Sequence, residues 1–499
     1  MLSFELTLDD VRRATSGHWR VPPANPGESC PPINTDSRSF RLGDLFLALR
    51  GQRFDGHDYL AEALAAGAAG LVVERGAQLP PRHPREVVVL EVQDTLKALG
   101  DIAAAARAKA GKIEVAAVVG SSGKTTTKEM LARILRAHAG ERRVYASPGN
   151  FNNLVGAPKA ILEISEEHDF AVLEAGMNAP GELSRLAQMI APSLSVVTNV
   201  GSAHVGRFGS REAHLRAKLE WLESLPAGRR VLLNADGGAN LAALVKAANH
   251  LEVAFYGIDH DDSIAWPRRI EPMRPIGYRF TLVLPDGEHP VELPLFGAYN
   301  VSNALGAAAA AWLMGVDGET IAGALGEMNA FRLRGEVREI AGRRFIVDCY
   351  NASPEATRQS LYSAADVECE GRRLAALGSM MELGEFTAPA HRAVGTAVAG
   401  AEFDHLFTLG EDALRIQESA GRHGVAGTHC RDHNDLARFL AFLSRPGDLI
   451  LLKGSRSMEM EKILPRFERM LAPAAAATPQ PPTAEESMSA RSSAESLAQ

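Results

Sequence analysis

Short apolar runs of three to five residues recur through the middle of the chain, at 115–119, 170–174, 195–198, 231–233 and 253–256. The stretches between them are long enough to hold a helix each. Apolar runs without polar alternation read as strands buried on both faces, and their alternation with helical stretches predicts a mostly parallel sheet covered on both sides. The pattern is interrupted at 267–296, where Pro, Arg and short β-rich runs predict an antiparallel insertion. A helical stretch follows at 300–328, and its alanine-rich part near 304–314 reads as buried. Strands of a second α/β unit are expected at 345–348, 374–377, 405–409 and 449–452. Ahead of all this, residues 1–111 mix strands at 44–49 and 70–73 with an alanine-rich helix at 59–66. From 473 to 499 periodicity gives way to Ala, Pro, Ser and Glu, the composition of a disordered tail. The expected architecture is therefore α/β in three domains, 1–111, 112–329 and 330–472, followed by that tail.

Composition narrows the classes. With 46% hydrophobic and 23% charged residues the chain has the make-up of a globular enzyme. Its net charge of −8 weighs against a nucleic-acid partner. No apolar run reaches membrane-spanning length, and the first residues lack a basic segment followed by an apolar one. A cytoplasmic location without membrane insertion is the expectation. Cys30, Cys349, Cys369 and Cys430 are dispersed with no C-x-x-C pair, which predicts reduced thiols rather than a disulfide framework or a zinc site.

Polar or glycine-containing segments follow the strands of both units: GSSGKTT, EAGMN and TNVGSAH in the first, DCYNAS, LGSMMELG, LGED and LKGSR in the second. Open parallel sheets bind ligands at the carboxyl ends of their strands, so two such edges in one chain predict two half-sites facing each other. The most specific segment is Gly120, Ser121, Ser122, Gly123, Lys124, Thr125 and Thr126, between a strand and a helix expected at 128–137. Glycines let backbone N–H groups turn toward phosphate oxygens. The helix N-terminus adds partial positive charge, Lys124 a full one, and a threonine hydroxyl can reach Mg²⁺. Val118 stands where the longer phosphate-loop pattern has its first glycine, so this is the shorter form. The chain has no N-K-x-D motif, which excludes a switch GTPase. Its acidic charge and 6% aromatic content do not suit a helicase groove. Glu174, ending an apolar strand, is positioned to hold Mg²⁺ beside the phosphate loop. His204, after the next strand, reads by itself as structural, because magnesium prefers oxygen ligands.

At this point the residues resemble the Mur ligases over about 34–470. Thr35-Asp36-Ser37-Arg38, Gly43–Gly51 and Phe54–Asp58 are similar to that family's UDP-sugar-binding module, GSSGKTT and the Glu174 and His204 turns to its central domain. The resemblance implies that Lys218, fourteen residues after His204, is carbamylated and binds Mg²⁺ with Thr125, Glu174 and His204. Without it, Lys218 reads as a surface helix lysine. Gly297–Ala304 is similar to the family's adenine-contacting segment. Asn300 and Asn303 are then expected at the base, with Tyr299 at a position often occupied by histidine. Arg334 and Asp348 match residues that meet the nucleotide after domain closure, with Arg332 an alternative to Arg334. Asn150, Asn152, Asn153, Asn351 and Lys453 join Ser37 and Arg38 as expected substrate contacts.

Three stretches, 149–158, 348–354 and 377–384 with His391, resemble the branch of the family that adds D-alanyl-D-alanine to a UDP-linked muramoyl tripeptide. What this implies is an ATP- and Mg²⁺-dependent, monomeric amide ligase working through an acyl phosphate in peptidoglycan synthesis. Ligases adding diaminopimelate, lysine or glutamate are the nearest alternative. Val347, Ser353 and Ser379 depart from the pattern and raise the question of altered amine specificity.

Overall fold

A computed structural model describes residues 6–51, 54–81, 86–201 and 205–471. The tail expected at 473–499 and the site residue His204 lie outside the described residues. Three mostly parallel sheets, as the strand pattern predicts, and one small antiparallel sheet organise the described residues. In the first, Ile33–Asn34, Leu45–Leu47, Gly70–Glu74 and Val88–Val92 pair in parallel, and His18–Val21 closes one edge antiparallel to Val88–Val92. The expected helix at 59–66 is a 3-10 turn, Gly56–Tyr59, running into the helix Leu60–Ala65.

The second sheet has six parallel strands. Across it lie Glu252–Tyr256, Arg230–Asn234, Leu194–Val197, Glu114–Val119, Phe170–Ala175 and Val144–Ala146. The strand Glu114–Val119 sits at the switch point, with later strands on both sides. Val118 pairs with Glu174 and Val119 with both Ala175 and Val197, so the phosphate loop leaves the sheet next to the Glu174 carboxylate. The helix after the loop begins on Lys124 and runs to Ala139, four residues earlier than the periodicity indicates. Its Thr-rich first turn is buried rather than exposed.

The expected antiparallel insertion is a three-stranded sheet of Trp266–Pro272, Tyr278–Leu284 and Gly287–Leu293. It covers two helices, Tyr299–Leu313 and Gly318–Gly326, where one helical stretch was expected. Ala304 and Ala307–Ala311 are 0–1% exposed, because their small side chains let this helix pack closely on the helix Lys124–Ala139.

The third sheet orders Glu336–Ile340, Arg343–Val347, Leu449–Lys453, Arg373–Gly378, His405–Leu409 and Ala426–Cys430, all parallel except the first. Its last strand inserts between Arg343–Val347 and Arg373–Gly378, and that reversal brings Asp348 and Lys453 together. Between units, buried Arg107 of the helix Thr95–Lys109 donates to the carbonyls of Ile190 (3.0 Å) and Ala191 (3.3 Å). Gly206 donates its N–H to the Glu382 carbonyl at 3.0 Å, and Arg207 pairs with the Glu382 carboxylate. A Cβ on Gly206 would come within 2.4 Å of Gly384 N, so this approach of central to C-terminal backbone requires glycine.

Candidate active site

The phosphate loop is built against the segment that follows Leu194–Val197. Gly120 has φ +144°, and a Cβ there would meet Thr198 Oγ1 at 2.0 Å. Asn199 anchors the turn: its carbonyl accepts from Ser121 N (3.0 Å) and its Oδ1 from Ser122 N (3.1 Å). Neither Thr198 nor Asn199 stood out in the sequence, although both lie in the TNVGSAH segment. Lys124 Nζ donates to the carbonyls of Gly120 (3.0 Å) and Ser121 (3.3 Å). Burial lowers its pKa, Glu174 opposes that shift, and Arg334 reinforces it.

Lys218 is not a surface lysine. On the helix Arg211–Glu223 it is 8% exposed, and its ammonium donates to the same Gly120 carbonyl at 3.2 Å. Burial, with Lys124 beside it, brings its pKa down to about 7. A small cavity lined by Val119, Val197, Val200, Trp221 and Leu222 adjoins the amine.

Opposite these cations lies one buried carboxylate. Glu174 Oε2 accepts from Thr125 Oγ1 at 2.7 Å, and Oε1 accepts from Asn152 Nδ2 at 2.7 Å. Arg334 reaches across from the C-terminal unit, and its Nη2 donates to Thr125 Oγ1 at 2.9 Å. Arg332 is exposed, and Arg334 is the one of the two arginines that reaches Thr125. The Arg334 guanidinium stacks on the Tyr350 ring, 3.8 Å from its centroid. Tyr350 lay within the DCYNAS motif, but nothing in the sequence marked it as the platform for an arginine.

At the C-terminal edge Lys453 Nζ donates to Asp348 Oδ2 (2.6 Å) and to the Asn351 carbonyl (3.3 Å), while Ser360 Oγ donates to Asp348 Oδ2 (2.6 Å). The expected adenine readers, Asn300 and Asn303, are buried and bonded to each other. Asn303 Nδ2 donates to Asn300 Oδ1 (2.8 Å), Asn303 Oδ1 accepts from Thr127 Oγ1 (3.4 Å), and Asn300 Nδ2 donates to the Phe296 carbonyl (2.8 Å). A Cβ on Gly123 would meet Asn303 Oδ1 at 2.3 Å. The pair therefore lies against the back of the phosphate loop.

Asn153 Oδ1 caps the helix Gly156–Leu162, accepting from Val155 N (3.0 Å) and Gly156 N (2.8 Å), and Asn150 is exposed beside it. Ser37–Ser39 form a 3-10 turn in which Ser37 is half-buried and Arg38 is exposed and paired to Asp36. The Asp36 carboxylate also favours the charged form of Lys159 on the helix Gly156–Leu162. The departures have structural explanations. Val347 packs in the C-terminal core, Ser353 caps the helix Pro354–Ala365, and Ser379 Oγ accepts from Ala413 N at 3.2 Å inside the Gly410 turn.

Family models match all three units: "Mur ligase family, catalytic domain" at 32–107, "Mur ligase middle domain" at 118–311 and "Mur ligase, glutamate ligase domain" at 333–456. The UDP-N-acetylmuramoyl-tripeptide–D-alanyl-D-alanine ligase of Bacillus subtilis is 33% identical over 436 residues, spanning 87% of this chain and 92% of that one. The chain belongs to the Mur ligase family. The enzyme of the same name from Escherichia coli is 33% identical over 437 residues, with the same two coverages. Among solved structures, MurF from Acinetobacter baumannii superposes with a TM-score of 0.84 at 30% identity, covering 94% of this chain and all of that one. MurF ligase from Thermotoga maritima in complex with ADP gives 0.75 at 27% identity, covering 88% and 97%. The three-unit α/β architecture is thus that of a Mur ligase, with the phosphate loop in the middle domain.

Proposed function

We propose that the chain is an ATP-dependent ligase joining D-alanyl-D-alanine to a UDP-N-acetylmuramoyl-tripeptide. The observation that carries this reading is a phosphate loop on whose Gly120 carbonyl Lys124 and Lys218 converge, with Arg334 reaching Thr125, the partner of Glu174, from the opposite sheet edge. Family membership and the similarity to D-alanyl-D-alanine ligases supply the substrate classes.

In the first step a carboxylate oxygen of the tripeptide attacks the γ-phosphorus of ATP. The bond to ADP breaks, leaving an acyl phosphate. In the second, the amine of the dipeptide attacks the acyl carbon, loses a proton, and the tetrahedral intermediate expels phosphate. Lys124 and Arg334 stabilise the charge that spreads over the transferred oxygens. The Thr125 hydroxyl and Glu174 carboxylate are hard oxygen donors 2.7 Å apart at a helix N-terminus, which fits Mg²⁺ held jointly with phosphates. Bound there, Mg²⁺ would neutralise phosphate charge.

A lysine with its pKa near 7 offers a neutral amine to CO₂. Loss of one proton frees the amine, and N–C bond formation with CO₂ and loss of a second proton turn what was a cation crowded by Lys124 into a carbamate anion attracted to it. Lys218 thereby becomes an oxygen donor suited to the same ion, as expected for the carbamate.

Phosphate release measured over a matrix of UDP-peptides and amines tests the reading. Release should require both the UDP-tripeptide and D-alanyl-D-alanine. Faster release with free diaminopimelate, lysine or glutamate would overturn it in favour of a single-residue ligase.

A further inference from the structure

Lys128 lies one turn beyond Lys124 on the same helix and is 0% exposed. A wholly buried ammonium persists only where acceptors surround it. Its partners are the Ser147 carbonyl, the Gly149 carbonyl at 3.1 Å and the Glu129 carboxylate at 2.8 Å. Both carbonyls belong to the loop leaving the edge strand Val144–Ala146. At its far end that loop carries Asn152, whose amide donates to Glu174 Oε1 and whose carbonyl accepts from Gly176 N at 2.8 Å. Glu174 in turn holds Thr125, which is back on the helix that bears Lys128. These contacts form a closed circuit: helix, loop entry, loop exit, carboxylate, helix.

We propose that Lys128 is a positioning residue that fixes the 147–153 loop by its entry carbonyls and thereby holds Asn152, and through it Glu174, in the orientation that meets Mg²⁺ and phosphate. This rests on the assignment of Glu174 to the metal. The ion pair with Glu129 largely cancels the field of Lys128, so its effect on the site is geometric. Pro148 to Phe151 are exposed.

The test is a Mg²⁺ titration of fluorescent-ADP binding to the full chain, read without turnover, for Lys128→Met, Asn152→Ala and the double variant. Removing a group that orients a metal ligand typically costs 10–100-fold in metal affinity, so each single variant should raise the Mg²⁺ midpoint by about 10-fold or more. The double variant should be no worse than the weaker single one, because both act through Glu174. Lys128→Arg, which keeps charge and donors, should recover part of the loss. If Lys128→Met does not fold, Lys128→Gln, which leaves one amide donor in the slot, gives the same comparison. A lowered melting temperature with an unchanged midpoint, or additive losses in the double variant, overturns the proposal. Glu174→Ala is the separate control: an unchanged midpoint there removes the metal assignment itself, and the relay with it.

Discussion

Replacing Lys218 by methionine is expected to make the protein more stable while abolishing its activity. The ammonium is buried beside a second lysine, and one carbonyl, that of Gly120, accepts from both. Its pKa falls from 10.5 to about 7, and at about 1.36 kcal/mol per pH unit the charge is disfavoured in the folded state by ~4–5 kcal/mol near pH 7. Methionine has a similar volume and no charge. Loss of the hydrogen bond to Gly120 offsets about 1 kcal/mol, leaving a gain of ~3 kcal/mol. The sign follows from proton counts. Unfolded lysine keeps its proton up to 10.5 whereas the folded one releases it near 7, so between those values the unfolded state binds more protons and parent stability rises with pH. The variant's advantage is therefore full below pH 7 and closes toward 10.5. Urea unfolding of both proteins, free of metal, nucleotide and CO₂, at pH 7 and about pH 9.5 measures it. Added bicarbonate should stabilise the parent alone. A variant less stable than the parent at pH 7, or a difference independent of pH, would refute the burial argument.

Arg334→Met should lower turnover by ~10²–10³-fold, the usual loss of one transition-state donor, while Arg332→Met stays within about twofold; single-turnover phosphate release separates them. Tyr350→Leu should cost ~1–2 kcal/mol of transition-state stabilisation and Tyr350→Phe almost none, since the ring face holds Arg334; a Phe variant as slow as Leu would assign the effect to the hydroxyl. Gly120→Ala should abolish ADP binding by calorimetry, because the new methyl falls on Thr198 Oγ1. Burial lowers the pKa of His391, whose Nδ1 donates to the Thr387 carbonyl while Nε2 accepts from Met380 N. Its contribution is intact above the unfolded value of about 6.5 and lost as pH falls through the folded one, so His391→Asn should flatten acid unfolding in that window.

The parallel sheets were legible because strands buried on both faces read as continuous apolar runs, as at 170–174 and 449–452. Edge strands escaped notice for the converse reason. Ala426–Cys430 and Glu336–Ile340 are half exposed and polar, so no apolar run marks them. The helix start at Lys124 was hidden by its threonines, whose hydroxyls find partners in Glu174 and Asn303. Lysine carries the strongest surface prior of any residue, which is why Lys128 and Lys218 could not be seen as buried. Their acceptors are carbonyls of Gly120, Ser147 and Gly149, groups every residue carries and no sequence pattern reveals. Asn303 was legible as a special residue but not in its orientation, because that depends on a glycine 180 residues away in the chain.

An acyl phosphate in contact with water is hydrolysed, so the chemistry requires that activation and closure be linked. Arg334 supplies a physical form for that link. Its guanidinium donates to the same Thr125 hydroxyl that donates to Glu174, so one oxygen reports both the position of the carboxylate and the arrival of the C-terminal unit. The turn that aims it is strained: Leu333 has φ +63° without being glycine, and its carbonyl accepts from Tyr350 N at 3.0 Å. Tyr350 thus fixes the backbone before Arg334 and the guanidinium after it. Retraction of the C-terminal unit would remove the guanidinium from Thr125 while leaving the Tyr350 stack and the Leu333 bond intact. The arginine would then travel as a preformed element, and its ordering cost would fall on folding of the C-terminal unit rather than on each catalytic cycle.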